Sequence, residues 1–226
     1  MQTYPVFAIV ADKSCLVVGG GAVGERKVHD LISAGARVTV VSRDLTPTLA
    51  KMAAQGKIRY LKEDFSDDHL AGMVLVIGAT DAPQVNARVS AAAQAQGIWV
   101  NIVDAPEHCT FIVPAQVRRG DFLVAISTGG ASPALARKLR LELEQHFGPE
   151  YGPYLALLQG VRSRLLTARR GHPENAALFH RLVDSSLLEA LARGDRQEVQ
   201  QLLKEILGPA LSPSDLAEVM EKAFKE

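Results

Sequence analysis

Apolar and polar positions in the first hundred residues fall into blocks whose period switches from strand to helix and back. Cys15–Val18 is a short apolar run with the length of a buried parallel strand. Ala22–Ala34 follows with helical spacing and closes at Gly35. The alternation then repeats: Arg37–Ser42 reads as a strand, Leu49–Gln55 as a helix and Lys57–Leu61 as a strand. Asp67–Leu70 reads as a short helical turn, Met73–Gly78 as a strand, Pro83–Gln96 as a helix and Ile98–Val103 as a strand. Met73–Gly78 is continuously apolar, as a central parallel strand covered on both faces must be. Units of this kind predict an α/β chain with a Rossmann-type doubly wound parallel sheet and ligands at the carboxyl ends of its strands.

After Pro106 the pattern changes. Thr110–Val117 and Phe122–Ser127 are apolar runs joined by Arg118-Arg119-Gly120-Asp121, a hairpin signal. A hairpin followed by a single helix cannot cover a large core, so it is expected to join the first sheet or to pair with another subunit. Ser132 and Pro133 then supply an N-cap and a first helical residue for a helix running to about Phe147. From Tyr151 onward only helices are predicted: Pro153–Arg169, Pro173–Val183, Ser186–Ala192, Asp195–Leu207 and Pro213–Phe224, with Asp195 and Ser212 as caps.

The candidate chemistry lies at the strand ends. Gly19, Gly21 and Gly24 have GxGxxG spacing between a strand and a helix, the context in which that motif binds a dinucleotide. Gly19 would allow the tight turn, Gly21 would let the backbone approach a pyrophosphate, and Gly24 would bring helix and strand together. Ser42, Arg43 and Asp44 follow the second strand; Arg43 alone leans toward NADP or could stack on adenine, and the residues leave both open. Thr80-Asp81 after the fourth strand reads equally as a loop and helix cap or as a cofactor contact. Asp104, leaving the fifth strand, is a candidate general base if partial burial raises its pKa, and otherwise a loop cap before Ala105-Pro106.

Composition narrows the partners. Lys plus Arg equals Asp plus Glu at 25 each, so no global field points to nucleic acid or to a membrane. Two local clusters remain: Arg118, Arg119, Arg137, Lys138 and Arg140, and then Arg162, Arg164, Arg169 and Arg170, the second with no acid among them. Each reads as a solvated helix face or as a cleft for a polyanion. Cys15 and Cys109 lack ligand spacing and read as packed thiols, and the six histidines show no metal-ligand pattern, with His108 read as a loop histidine; no metal site is expected. The N-terminus lacks the basic region of a signal peptide and no apolar run could span a bilayer, so a cytoplasmic protein is expected.

Three segments together carry a family resemblance. GGGAVGERK, NIVDAPEHCTFIVPA and ISTGGASPALARKLR closely resemble siroheme synthase, in its precorrin-2 dehydrogenase and sirohydrochlorin ferrochelatase portion. With no methyltransferase segment following, the chain looks like the stand-alone form. The resemblance implies a homodimer built from an NAD-binding Rossmann domain (1–113), a dimerisation region (114–149) and a helical C-terminal domain (150–226). It implies NAD-dependent oxidation of precorrin-2 to sirohydrochlorin, followed in some members by Fe²⁺ insertion. Cofactor contacts carry over to Gly21, Ala22, Val23, Arg43 and Asp44, and the catalytic role to Asp104. The carboxylates of the tetrapyrrole would give Arg118, Arg119, Arg137 and Arg140, with Ser132 in the same stretch, a substrate-binding role. A nucleotide-sensing regulatory module and a different NAD(P)-dependent dehydrogenase are the two rival readings.

Overall fold

The strand–helix alternation is realised in a computed structural model, which describes residues 2–224. The chain divides into two compact units, Thr3–Val113 and a second from Pro114 onward. No described helix is long and apolar enough to cross a membrane.

In the first unit, β1 (Ser14–Val18), β2 (Arg37–Val41), β3 (Arg59–Leu61), β4 (Leu75–Gly78) and β5 (Trp99–Ile102) form a parallel sheet in the order β3-β2-β1-β4-β5. Side-chain alternation along β1 splits its core in two. Cys15 and Val17 pack with Val28 and Leu31 of α1 (Ala22–Ser33) and with Leu49 and Met52 of α2 (Pro47–Ala54). Leu16 and Val18 pack on the opposite face with Val89 and Ala93 of α3 (Pro83–Ala95) and with Leu70 of the 3₁₀ turn Asp67–Leu70. Burial pushes the Cys15 thiol up to about 11, as expected of an inert core cysteine. The helix α2 begins two residues earlier than the apolar pattern predicts because Thr46 caps it, accepting from Leu49 N at 3.2 Å.

The second unit holds a hairpin and helices. The hairpin strands β6 (Ala115–Arg119) and β7 (Phe122–Ile126) form a separate two-stranded antiparallel sheet. The expectation that they join the first sheet is therefore corrected. So is the start of the first strand: Thr110 belongs to the edge of β5, where its amide donates to Val100 O at 2.8 Å. The turn itself is Gly120-Asp121, with Gly120 at φ 59° and both arginines inside β6. Ser132 caps α4 (Pro133–His146), its hydroxyl accepting from Leu135 N at 3.2 Å.

The helices α5 (Tyr151–Ala168), α6 (Glu174–Val183), α7 (Leu187–Ala192), α8 (Arg196–Leu207) and α9 (Pro213–Ala223) follow. They close over one apolar core that includes Leu157, Leu165, Leu182, Leu187, Leu203 and Val219. Asp195 and Ser212 cap α8 and α9, accepting from Glu198 N at 2.9 Å and Asp215 N at 3.1 Å.

Candidate active site at the carboxyl ends of the parallel strands

The glycine loop between β1 and α1 divides its labour by position. Gly19 sits at φ 119°, and a Cβ there would stand 2.3 Å from Ala79 O. A Cβ on Gly24 would stand 2.2 Å from Gly19 O, so α1 approaches the loop as closely as backbone permits. Gly21 differs: nothing lies within 4 Å of where its Cβ would be. Gly21 N-caps α1 without a side-chain hydrogen bond, and Ala22 and Val23 beside it are exposed. Open space over first-turn amides at a helix N-terminus suits an anionic group such as a pyrophosphate. Glu25, in the same turn, accepts from the Thr46 hydroxyl instead of facing that space.

Neighbouring loops enclose the glycines. Gly20 N donates to Ser42 Oγ at 3.0 Å, and Thr46 N donates to Gly20 O at 3.0 Å, laying the loop after β2 against the glycine loop. The Tyr60 hydroxyl, 3.0 Å from Ser42 O and 3.1 Å from Arg43 O, fixes the same loop. Arg43 and Asp44 are both exposed there, and the Arg43 guanidinium forms a bidentate pair with Asp64, both bonds 2.7 Å. That pair raises the arginine pKa and lowers the carboxyl's, Asp64's hydrogen bonding being the first cause for one and Arg43's for the other. Thr80, beside Gly19, has its hydroxyl 2.8 Å from Asn86 Oδ1 and 3.2 Å from Ala82 O. Its side chain thus ties down the loop before α3, with the buried Asn86 as partner, while α3 itself has Ala82 at its N-cap and no side-chain cap.

Asp104 is the third residue of a turn after β5, closed by Ala105 N donating to Ile102 O at 3.4 Å. Its φ is 59°, a left-handed conformation that non-glycine residues adopt sparingly. The residue is exposed, so the partial burial on which its reading as a general base is conditioned is not found. Nor is it a cap: among the described residues its carboxylate has neither a hydrogen bond nor an ion pair. Lys27 of α1 is the charged group that sequence reading missed. Its pKa is lowered chiefly by burial, and the Asp104 carboxylate is among the charges that oppose this. The ERK that follows the glycine loop contains this lysine, but nothing in its spacing marks it.

The remaining candidates belong to the unit from Pro114 onward. Arg119 is engaged by its own unit. Its guanidinium donates to three backbone carbonyls, Phe147 O at 3.0 Å, Arg118 O at 3.1 Å and Glu144 O at 3.0 Å. Arg140 pairs with Glu144 at 2.6 Å, and Ser132 uses its hydroxyl on α4. Arg118 and Arg137 are exposed and have no carboxylate partner among the described residues. In the later cluster the acids lie outside the run of arginines, five residues on for Arg169 and on α9 for Arg164. Arg164 pairs with Asp215 at 3.4 Å and with Glu218, and Arg169 with Glu174 at 3.0 Å.

Comparison with known proteins bears on both units. Residues 6–115 match the family described as "Putative NAD(P)-binding", and residues 119–146 match "Sirohaem biosynthesis protein central". The siroheme synthase of Methylobacillus flagellatus is 45% identical over 207 residues, which are 90% of this chain and 44% of that protein. Siroheme synthase 1 of Aeromonas salmonicida is 42% identical over 203 residues, 89% of this chain and 43% of that one. Over nearly all of its own length the chain is thus similar to siroheme synthases. It spans less than half the length of these curated relatives. A solved structure described as "SirC, precorrin-2 dehydrogenase" shares the fold with a TM-score of 0.73 at 24% identity, over 90% of this chain and 98% of that one. The glycine loop and the Asp104 turn fall in the NAD(P)-binding match, and Arg118 just precedes the central one.

Proposed function

We propose that this chain oxidises precorrin-2 to sirohydrochlorin with NAD⁺, as a cytoplasmic homodimer whose residues 114–149 are the dimerisation region. The observation that carries the reading is Asp104, an exposed carboxylate held at φ 59° at the end of a parallel strand and left without a partner. A carboxylate kept in an uncommon backbone conformation, and capping nothing, is available to a ligand.

The residues present fit the dinucleotide. The open space over Gly21, with the exposed Ala22 and Val23, would take the pyrophosphate, and the loop of Arg43 and Asp44 the adenosine end. NAD⁺, when bound, supplies the hydride acceptor. The protein's task is then to receive one proton, which Asp104 does with Lys27 as the neighbouring positive charge. Arg118 and Arg137 are the arginines open to carboxylates of the tetrapyrrole. Fe²⁺ insertion into sirohydrochlorin needs pyrrole protons removed, and the same aspartate is the group the family resemblance assigns to it.

The test is Asp104→Asn, and the left-handed φ makes asparagine the right choice, since it tolerates that conformation where alanine is strained. The expected outcome is unchanged folding and NAD⁺ affinity with precorrin-2 oxidation slowed by about 10² to 10⁴-fold. Full activity in this variant would refute the assignment. A wild-type protein that binds NAD⁺ but leaves the precorrin-2 absorbance spectrum unchanged would favour a nucleotide-sensing role instead. Sirohydrochlorin and Fe²⁺ supplied together then decide whether chelation uses the same carboxylate.

A further inference from the structure

We infer that Cys109 and Ser90 are positioning residues for Asp104, pinning from two sides the turn that carries it. The inference rests on the reading of Asp104 as proton acceptor. It starts from an edge. β5 is the last strand of its sheet, and the amides of Val100 and Ile102 point away from β4. An uncovered parallel edge would leave these to water or to another chain. Here the backbone doubles back after the 3₁₀ turn Pro106–His108 and covers the edge largely with side chains. Val100 N donates to Thr110 Oγ1 at 2.8 Å, and Ile102 N donates to Cys109 Sγ at 3.1 Å.

The cysteine does more than close the edge. Its thiol hydrogen faces two carbonyls, Ile102 O and Ala105 O, each 3.3 Å from the sulfur. Asn101 Nδ2 lies 3.5 Å away on the accepting side. One sulfur thus bonds to backbone both before and after Asp104. Burial raises the Cys109 thiol pKa, which keeps the S–H in place to donate near neutral pH. The second pin comes from α3. Ser90, 1% exposed, donates to His108 O at 2.7 Å and accepts from Gln94 Nε2 at 2.8 Å. Both ends of the loop from Ile102 to His108 are therefore fixed. A left-handed aspartate persists only where its surroundings over-determine it, and these bonds are those surroundings.

Positioning makes a prediction that mere edge closure does not. In the full chain, Cys109→Ala and Ser90→Ala should each lower kcat for precorrin-2 oxidation by about 10-fold, and up to about 10²-fold together, a scale set by small misplacements of a reacting group. KM and calorimetric NAD⁺ affinity should stay within about twofold, because the glycine loop is untouched. Cys109→Ser, which keeps a donor and an acceptor, should restore most of the rate. On an Asp104→Asn background, Cys109→Ala should add no further loss, since the residual rate no longer passes through the carboxylate. Without any ligand, amide exchange at Ile102 and Ala105 should quicken about tenfold or more in Cys109→Ala.

Wild-type kcat in Cys109→Ala would overturn the inference, as would the same fold-loss on both backgrounds, which is what general structural support gives. Unchanged amide exchange would overturn it too. Should Cys109→Ala fail to fold in a circular-dichroism melt, Ser90→Ala and Cys109→Ser carry the same comparison. A wild-type chain inactive on precorrin-2 would sink the reaction and this inference with it, whereas an unaffected Cys109→Ala in an active protein sinks the inference alone.

Discussion

The parallel-sheet unit and the stretch from β6 to α4 spend similar kinds of side chain to different ends. In Thr3–Val113 each face of the sheet is covered by helix, and residues such as Leu16, Val17, Val40 and Val76 lose all contact with solvent. In Ala115–His146 the hairpin buries Val117 alone, at 1% exposure, and α4 buries none of its residues. Leu135 and Leu141 of α4 stand 47% and 45% exposed. The sheet of the first region is covered by its own helices, although the segment before it leaves Tyr4, Phe7 and Ile9 exposed. The second has apolar positions that its own fold does not use, which is what a chain built to meet a second copy would show.

The largest expected effect breaks the first region from within. Gly24→Val drives a side chain into Gly19 O and should destabilise the chain by about 3–5 kcal/mol, in the range of severe core disruption. Gly21→Val, placed in open space, should leave the melting temperature nearly unchanged while abolishing NAD⁺ binding by calorimetry. If both variants melt alike, the division of labour among the glycines is wrong.

A smaller effect probes what order the second region does possess. Arg119→Ala leaves the carbonyls of Glu144 and Phe147 without their donor and should cost about 1–3 kcal/mol in a denaturant titration. Were Arg119 a substrate ligand instead, the stability would hold and KM for the tetrapyrrole would rise. The smallest effect on stability sharpens the contrast most. Leu135→Asp with Leu141→Asp should change monomer stability by no more than about 0.5 kcal/mol per site, as exposed positions do, yet sedimentation should show loss of the dimer. A chain that sediments as a monomer before any substitution would refute the interface altogether.

How much of this could be read from the chain depended on whether a residue acts along the sequence or across it. The strands and helices of the sheet were legible to within a residue or two, because buried runs such as Leu16–Val18 and Val76–Gly78 leave a period in the sequence. So were the caps Ser132, Asp195 and Ser212, which act on amides three residues ahead. The roles of the glycines at 19 and 24 were likewise local and legible. What failed was long-range. Arg119 reaches carbonyls some 25 and 28 residues on, and Arg164 finds its acids on α9. Nothing in a linear reading distinguishes these from open cations. The Thr110–Val117 run misled for a related reason: its first residues close an existing sheet edge, and strand propensity cannot say which edge a segment belongs to. That Asp104 leaves the fifth strand was legible, but its exposure was not, since burial is a property of neighbours.

Closing the edge of β5 has a consequence for the chain's behaviour at high concentration. A parallel sheet with an open margin is a template on which another polypeptide can add a strand, the first step toward ordered aggregates. Cys109 and Thr110 occupy the outward amides of that margin, and at the other margin β3 is only three residues long. Neither side offers a useful ladder to a stranger. The hairpin is a sheet of two strands, so in the proposed homodimer it is where strand pairing between copies would fall.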